Sequence, residues 1–363
     1  METTVDNLDT PLVLVDLVQV EENIKTLFDA YAGYPGVSVR PHLKTAKCPE
    51  FARMLLNAGA RGICVAKVSE AEVFVDAGIG DILITTEIAG AVKIERLINL
   101  WSRARDLEIV VDNARVAAAI NEAAGKASNG HKLSVLIDLN VGQDRTGVSS
   151  KEEALELADS LSRLKNLFLC GIQGYEGHLQ HLPPEERERR CHRSMVSLVE
   201  TADWLRRAGH GIAIVTTGGT GTGEICASHE GITEVQPGSF IFSDAAYQKA
   251  TRDKYKPALR ILAGVVSKPD ANRAVVDAGL KSLSMDMGYA EVWNRPDWTY
   301  RPAGDEHGII ESSTGSLALA TGDRVELVPG HIDTTIALHS EFHLTRRGRL
   351  EAVWAIATRG RVQ

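Results

Sequence analysis

Lys44 stands in Arg40-Pro41-His42-Leu43-Lys44-Thr45-Ala46-Lys47, directly after the β-branched run Val37-Ser38-Val39 and before a helix-patterned stretch from Cys48 to Asn57. The amine therefore sits where a strand gives way to a βα loop, and in a barrel of parallel strands that end is where catalytic groups collect. With Arg40 and Lys47 close by in sequence, it is expected to lose its proton more readily than a free lysine and to act as a Schiff-base nucleophile. The alternative is an ordinary solvated lysine. Two glycine-rich segments add weight to the first reading. Thr216-Thr217-Gly218-Gly219-Thr220-Gly221-Thr222-Gly223 follows an apolar strand, and consecutive glycines let backbone N–H groups converge on an anion such as a phosphate. The segment lacks the Gly-Lys-Ser/Thr ending of a nucleotide P-loop, and its spacing is not that of a dinucleotide fingerprint. Gln236-Pro237-Gly238-Ser239-Phe240 follows the next strand, where Gly238 and Ser239 would complete the same cup.

A third motif, Pro329-Gly330-His331-Ile332-Asp333-Thr334-Thr335, carries metal-ligand chemistry. Side chains at i and i+2 of a strand share a face, so His331 and Asp333 are expected to converge on one divalent ion. An imidazole with a carboxylate and no thiolate favours Mg²⁺ or Mn²⁺, with Zn²⁺ the alternative. His339 and His343 read as non-ligands. His178 and His181 follow the sixth expected strand, either facing substrate or lying in a solvated loop.

These residues need a scaffold, and the chain supplies one. Short, nearly continuous apolar runs at 37–40, 62–68, 81–86, 108–112, 132–140, 169–175, 211–217 and 232–236 alternate with helical stretches, as parallel strands buried on both faces do. Pro49 and the paired Pro183-Pro184 fit helix starts, and Ala58-Gly59, Ala77-Gly78 and Ala208-Gly209 fit helix ends. The expected fold is α/β: a (β/α)8 TIM-type barrel over residues 17–250, followed by an antiparallel β domain over 251–363. Short strands are expected there at 259–266, 273–277, 308–311, 324–328, 334–338 and 350–357, and residues 8–16 supply a strand suited to joining that domain.

The 363 residues carry a formal net charge of −8, which argues against nucleic acid as a partner. Five scattered cysteines fit a reducing compartment better than a disulfide framework. The polar, acidic start is unlike a signal peptide, and no apolar run is long enough for a bilayer. A soluble cytoplasmic protein with no membrane partner is expected.

Taken in order, Pro41-His42-Leu43-Lys44-Thr45, Asp144-Arg145-Thr146-Gly147-Val148, Gly174-Tyr175-Glu176-Gly177-His178, Gly218-Gly219-Thr220, Pro237-Gly238-Ser239 and His331-x-Asp333 resemble the D-threonine aldolase and D-serine dehydratase group of alanine-racemase-fold enzymes. The resemblance runs from about Thr10 to about Leu338. It implies pyridoxal 5'-phosphate carried by Lys44, with Arg145, Tyr175, Thr217, Gly218, Gly219, Thr220, Gly238 and Ser239 around it. Thr217 is the one candidate for the pyridine nitrogen. It also implies a divalent metal on His331 and Asp333 beside a substrate β-hydroxyl, and His42 or a water as the base at that hydroxyl. Dehydratases of the group resemble His-x-Cys at the metal motif, so Asp333 favours cleavage of a D-β-hydroxy amino acid to glycine and an aldehyde. D-threonine, phenylserine and 3-hydroxy-D-aspartate are the candidate substrates, and dehydration to a 2-oxo acid and ammonia is the alternative. A racemase using Tyr255 or Tyr289 as second base fits less well, because its lysine motif differs. A cofactor carrier fits less well because it would lack the β domain. The resemblance also implies a homodimer.

Overall fold

The computed structural model describes residues 4–104, 106–127, 130–313 and 315–363. The chain divides into two compact units. One comprises 28–44, 51–238 and 361–363; the other comprises 1–27, 45–50 and 239–360.

The first unit contains eight parallel strands: β2 (Ser38–Val39), β3 (Ile63–Val65), β4 (Asp81–Ile84), β5 (Asp106–Val111), β6 (Leu133–Asp138), β7 (Leu167–Gln173), β8 (Ile214–Thr217) and β9 (Glu234–Val235). They follow the order β2-β9-β8-β7-β6-β5-β4-β3. The two ends meet where Arg61 N donates to Val39 O (3.0 Å), Cys64 N to Pro41 O (2.8 Å) and Leu43 N to Cys64 O (2.8 Å), closing the barrel. The expected (β/α)8 barrel is thus present. Its strands read as continuous apolar runs because both faces are covered. Cys64, Leu83, Val110, Leu136, Cys170 and Ile214, one from each of β3 to β8, form a buried belt.

The helices start and stop for local reasons. Between β3 and β7 lie α3 (Val68–Asp76), α4 (Ala91–Trp101), α5 (Ala114–Ala127) and α6 (Lys151–Ser162); α7 (Pro184–Arg207) and α8 (Gly223–Ala227) follow. Ser150 caps α6 by accepting from Glu153 N, and Pro184 opens α7. α7 ends at Gly209, whose φ of 97° is a left-handed value that favours glycine. Two further helices cross the division between units: α1 (Leu17–Tyr31) and α2 (Pro49–Asn57).

The second unit is a nine-stranded sheet of β1 (Leu12–Asp16), β10 (Leu259–Asp270), β11 (Arg273–Val276), β12 (Glu291–Val292), β13 (Trp298–Pro302), β14 (Gly308–Ser312), β15 (Arg324–Val328), β16 (Glu341–Arg346) and β17 (Arg349–Ala355). The order is β11-β14-β13-β12-β15-β10-β1-β16-β17, and β10 also pairs with β11, so six strands close on themselves. β1 joins this sheet, antiparallel to β10 and parallel to β16, the one parallel pair in it. One expected strand is a helix instead. Residues 334–338 overlap α10 (Ile332–Ile336), which follows α9 (Ala245–Thr251) in chain order. The β-branched Ile-Asp-Thr-Thr-Ile run is turned into a helix at its start, where the Asp244 carboxylate accepts from Ile332 N at 2.9 Å. Among the described residues, no helix is long and apolar enough to cross a membrane.

Candidate active site

In the barrel unit, Lys44 lies in the turn after β2, its Nζ 5.9 Å from the centroid of the Tyr175 ring. The Arg145 guanidinium lies 5.9 Å from the same centroid. The ring therefore carries two cations at the range where its quadrupole attracts them. Arg145 is presented by a turn held at both sides. Asn140 Nδ2 donates to Asp144 Oδ1 (2.9 Å), and Asp144 N donates to Asn140 Oδ1 (3.1 Å). Gly147 has φ 95°, and a Cβ there would come within 2.6 Å of Asn140 N, so the turn requires glycine.

Arg40 does not have the role expected of it. Its guanidinium is fully buried and meets Asp81 (2.6 Å), Glu108 (3.0 Å) and Glu234 (2.9 Å). Burial alone would favour its neutral form, but these carboxylates outweigh that and hold it cationic. A cation neutralised three times over is not the positive neighbour that would loosen the Lys44 proton.

The His42 ring is engaged at both nitrogens. Lys44 N donates to His42 Nδ1 (3.2 Å), which makes Nδ1 the acceptor, and Nε2 faces Thr85 Oγ1 at 3.0 Å. The ring thereby ties the backbone of Lys44 to the end of β4. His178 is partly buried, where a Cβ added at Gly142 would lie 3.6 Å from its ring, and His181 is exposed. Burial, reinforced by Arg190, keeps His178 below the usual histidine range.

The glycine segment after β8 is wired to a carboxylate that the sequence reading did not single out. Glu176 is fully buried and accepts from Thr217 Oγ1 (2.8 Å), Gly218 N (3.2 Å), Gln180 Nε2 (3.2 Å) and the Thr222 hydroxyl. Gly219 N donates to Thr222 Oγ1 (3.1 Å) and Gly221 N to Gln180 Oε1 (2.8 Å). Three of the N–H groups expected to converge on an anion are thus held by side-chain oxygens. Gly238 ends the barrel unit and Ser239 begins the next segment of the other. Glu176 adjoins Tyr175 in sequence, but apart from Gln180 its partners are more than forty residues away along β8 and the loop after it, so only the fold reveals them.

In the second unit, His331 caps α10 and Asp333 lies in that helix's first turn, not on a strand. The strand argument for their convergence therefore fails, although the two residues remain adjacent on one turn. His331 Nδ1 faces Asp286 Oδ2 at 2.6 Å, and Asp286 also accepts from Ser284 (2.6 Å) and Thr334 (2.9 Å). Burial would raise Asp286, but these hydrogen bonds bring it down to about 2. A carboxylate on Nδ1 fixes the ring so that Nε2 holds the lone pair, the arrangement that orients metal-binding histidines. This donor set fits a hard ion that keeps several waters. Among the described residues, no group of three or more His, Cys, Asp or Glu side chains is placed to hold a metal by itself. Tyr255, one of the two candidate racemase bases, is buried against Phe240.

Comparison with known proteins agrees with this architecture. Residues 15–246 match the family described as "Alanine racemase, N-terminal domain", and residues 258–345 match "Putative serine dehydratase domain". The D-threonine aldolase of Arthrobacter sp is 38% identical over 97% of this chain and 93% of its own. The chain belongs to the D-threonine aldolase-like lyases of the alanine racemase fold. The 3-hydroxy-D-aspartate aldolase of Paracoccus denitrificans (strain Pd 1222) is 35% identical over 98% of this chain and 93% of its own. The crystal structure of D-threonine aldolase from Filomicrobium marinum superimposes with a TM-score of 0.95 at 34% identity, covering 100% of this chain and 99% of that one. In this lyase the dehydratase family model covers β10 to β15 and nearly all of β16 in the C-terminal sheet, which is anticipated from the strand rhythm after residue 250.

Proposed function

We propose that this lyase cleaves D-β-hydroxy amino acids, D-threonine or 3-hydroxy-D-aspartate among them, to glycine and an aldehyde, using pyridoxal 5'-phosphate and a divalent metal. The observation that carries the reading is the placement of Lys44 and Arg145 on one face-bearing ring, Tyr175, at the mouth of the barrel. An amine, a guanidinium and an aromatic ring form a set that fits the cofactor. When bound, pyridoxal phosphate supplies an electron sink for the bond broken at Cα.

Lys44 would hold the cofactor through Nζ, and its side chain, as an ammonium, is the group that would return a proton to Cα of the departing glycine. Arg145 and Tyr175 flank the cofactor; Thr217, Gly218, Gly219 and Thr220 on one loop and Gly238 with Ser239 on the other bound its phosphate end. With Nδ1 facing the Lys44 amide and Nε2 facing Thr85, His42 suits the task of orienting the lysine segment, which leaves a water to accept the β-hydroxyl proton. His331 and Asp333 would hold the metal, with Mg²⁺ or Mn²⁺ favoured and Zn²⁺ the alternative. Its chemistry would be to polarise and acidify a hydroxyl. The reading carries with it a homodimer and a cytoplasmic setting.

The second reading is dehydration to a 2-oxo acid and ammonia, favoured by the family model over residues 258–345. Asp333, where the dehydratases resemble a cysteine, supports the aldolase. Incubation of purified protein with pyridoxal phosphate, Mn²⁺ and D-threonine tests the choice. Glycine and acetaldehyde are expected; a 2-oxo acid with ammonia would overturn the aldolase reading in favour of the dehydratase. Activity indifferent to EDTA would remove the metal from the account.

A further inference from the structure

The short helix that follows His331 and contains Asp333 does not hold itself in place. α10 runs over Ile332–Ile336, and every residue in it except Asp333 is β-branched. A helix of little more than one turn costs more to nucleate than its own hydrogen bonds return, and β-branched residues add to that cost. Its first N–H groups have no partner inside the helix, and the side chain of His331, at the N-cap position, accepts from none of them. The cap comes from elsewhere in the same unit. Asp244 is fully buried and uses its two carboxylate oxygens in two directions. Oδ1 accepts from Tyr247 N at 2.8 Å and so caps α9, its own helix; Oδ2 accepts from Ile332 N at 2.9 Å and caps α10. Beside it, Ala245 N donates to Pro329 O at 3.0 Å, which ties the chain just before His331 to α9 at a second point.

Ile332 stands between His331 and Asp333, so a bond to its amide fixes the backbone that joins the two expected ligands. The contacts from the Asp286 loop act on side chains instead. Asp286 meets the His331 ring at 2.6 Å and accepts from the Thr334 hydroxyl at 2.9 Å, and Ser284 N donates to Thr335 Oγ1 at 3.2 Å. A carboxylate supplies two accepting oxygens for two amides, where serine or asparagine supplies one. We propose that Asp244 is a positioning residue for the metal pair: by capping α9 and α10 together, it holds the His331–Asp333 turn in the form that a divalent cation would use. The purpose of this double cap rests on the metal reading above; the double cap itself does not.

Asp244→Ser keeps the cap of α9, since a serine oxygen serves the amide three residues on, and removes the oxygen that meets Ile332. Asp244→Asn is the milder second variant, close to aspartate in size. Tyr300→Phe is the control: it deletes a buried hydrogen bond of the same unit, from Tyr300 Oη to Ala278 O (2.9 Å), and neither partner lies in α10. Two measurements on the full-length, metal-free protein read the outcome, and neither is activity. Mn²⁺ affinity by calorimetric titration is expected to fall about tenfold or more in Asp244→Ser, less in Asp244→Asn, and to keep its wild-type value in Tyr300→Phe. Amide exchange over residues 332–336, followed by mass spectrometry, is expected to quicken about tenfold or more in Asp244→Ser and to stay unchanged in Tyr300→Phe. Wild-type Mn²⁺ affinity in both Asp244 variants would overturn the positioning role. So would an equal loss in Tyr300→Phe, the mark of general loosening. Unchanged exchange in Asp244→Ser would overturn the double cap. If the wild type binds neither Mn²⁺ nor Zn²⁺ while exchange still quickens in Asp244→Ser, the metal reading fails, the positioning role falls with it, and the double cap stands.

Discussion

Replacing Glu176 with alanine tests the account of the glycine loop with a magnitude that follows from the structure. The carboxylate is fully buried and receives four donors: two threonine hydroxyls, the Gly218 amide and the Gln180 side-chain amide. In the variant, the Thr217 hydroxyl can turn to Met195 Sδ, 3.6 Å away, whereas Thr222, which accepts from Gln180 Nε2 at 2.7 Å, loses the acceptor of its own hydroxyl proton. Gly218 N–H cannot turn, and Gln180 loses one of its acceptors. With about 1–3 kcal/mol for each buried donor left without a partner, and a further contribution from the space vacated, the barrel should lose about 3–5 kcal/mol. Urea unfolding of the cofactor-free protein, followed by circular dichroism, reads this as a lower midpoint at unchanged slope. Glu176→Gln, which keeps one acceptor oxygen, should fall between the wild type and Glu176→Ala. A Glu176→Ala loss below about 1 kcal/mol would refute the reasoning, because the four donors would then be satisfied without the carboxylate.

Three other outcomes are expected. Arg40→Met strands Asp81, Glu108 and Glu234 without their cation, and should cost the barrel about 3–5 kcal/mol at pH 7 by chemical denaturation. Burial already raises Glu108 above the usual carboxylate range. A raised acid adds most to stability when protonated, below its unfolded value, and loses that contribution as pH climbs towards the folded one. The Arg40→Met deficit should therefore shrink between pH 7 and pH 5, and a deficit that grows in that direction would contradict the assignment. Gly147→Ala forces a Cβ against Asn140 N at a left-handed φ, so cofactor affinity should fall by at least tenfold as the Arg145 turn shifts, read by absorbance titration. Asp286→Asn removes the carboxylate that fixes the His331 ring and should weaken Mn²⁺ binding by about 10–100-fold in calorimetric titration.

The parts of this fold that were legible in the sequence share a physical cause. β6, expected at 132–140, spans Leu133–Asp138, and α7 starts at its proline and stops before its glycine. In both, the local signal and the tertiary environment agree. β12, β13 and β16 were not anticipated. β12 has two residues, too few to show a period, and the alternation in β13 (Trp298, Tyr300) and β16 (Phe342, Leu344) rests on only two apolar positions in each. α10 was misread because its β-branched run favours a strand, while the Asp244 carboxylate that starts it lies far away in sequence. The same division holds at the site. Lys44, Arg145 and Tyr175 were nameable because their motifs are contiguous, and the barrel brings them to one ring. Glu176 was not, since an acidic residue looks alike in sequence whether it is solvated or buried among donors. His331 and Asp333 were named for a strand geometry that the chain does not adopt.

The central claim is that Lys44 carries the cofactor. Borohydride reduction of the protein reconstituted with pyridoxal phosphate, followed by proteolysis and mass spectrometry, should place a pyridoxyl adduct on Lys44, and D-threonine added before reduction should lower its yield. An adduct on another lysine, or none with the cofactor bound, would contradict the account.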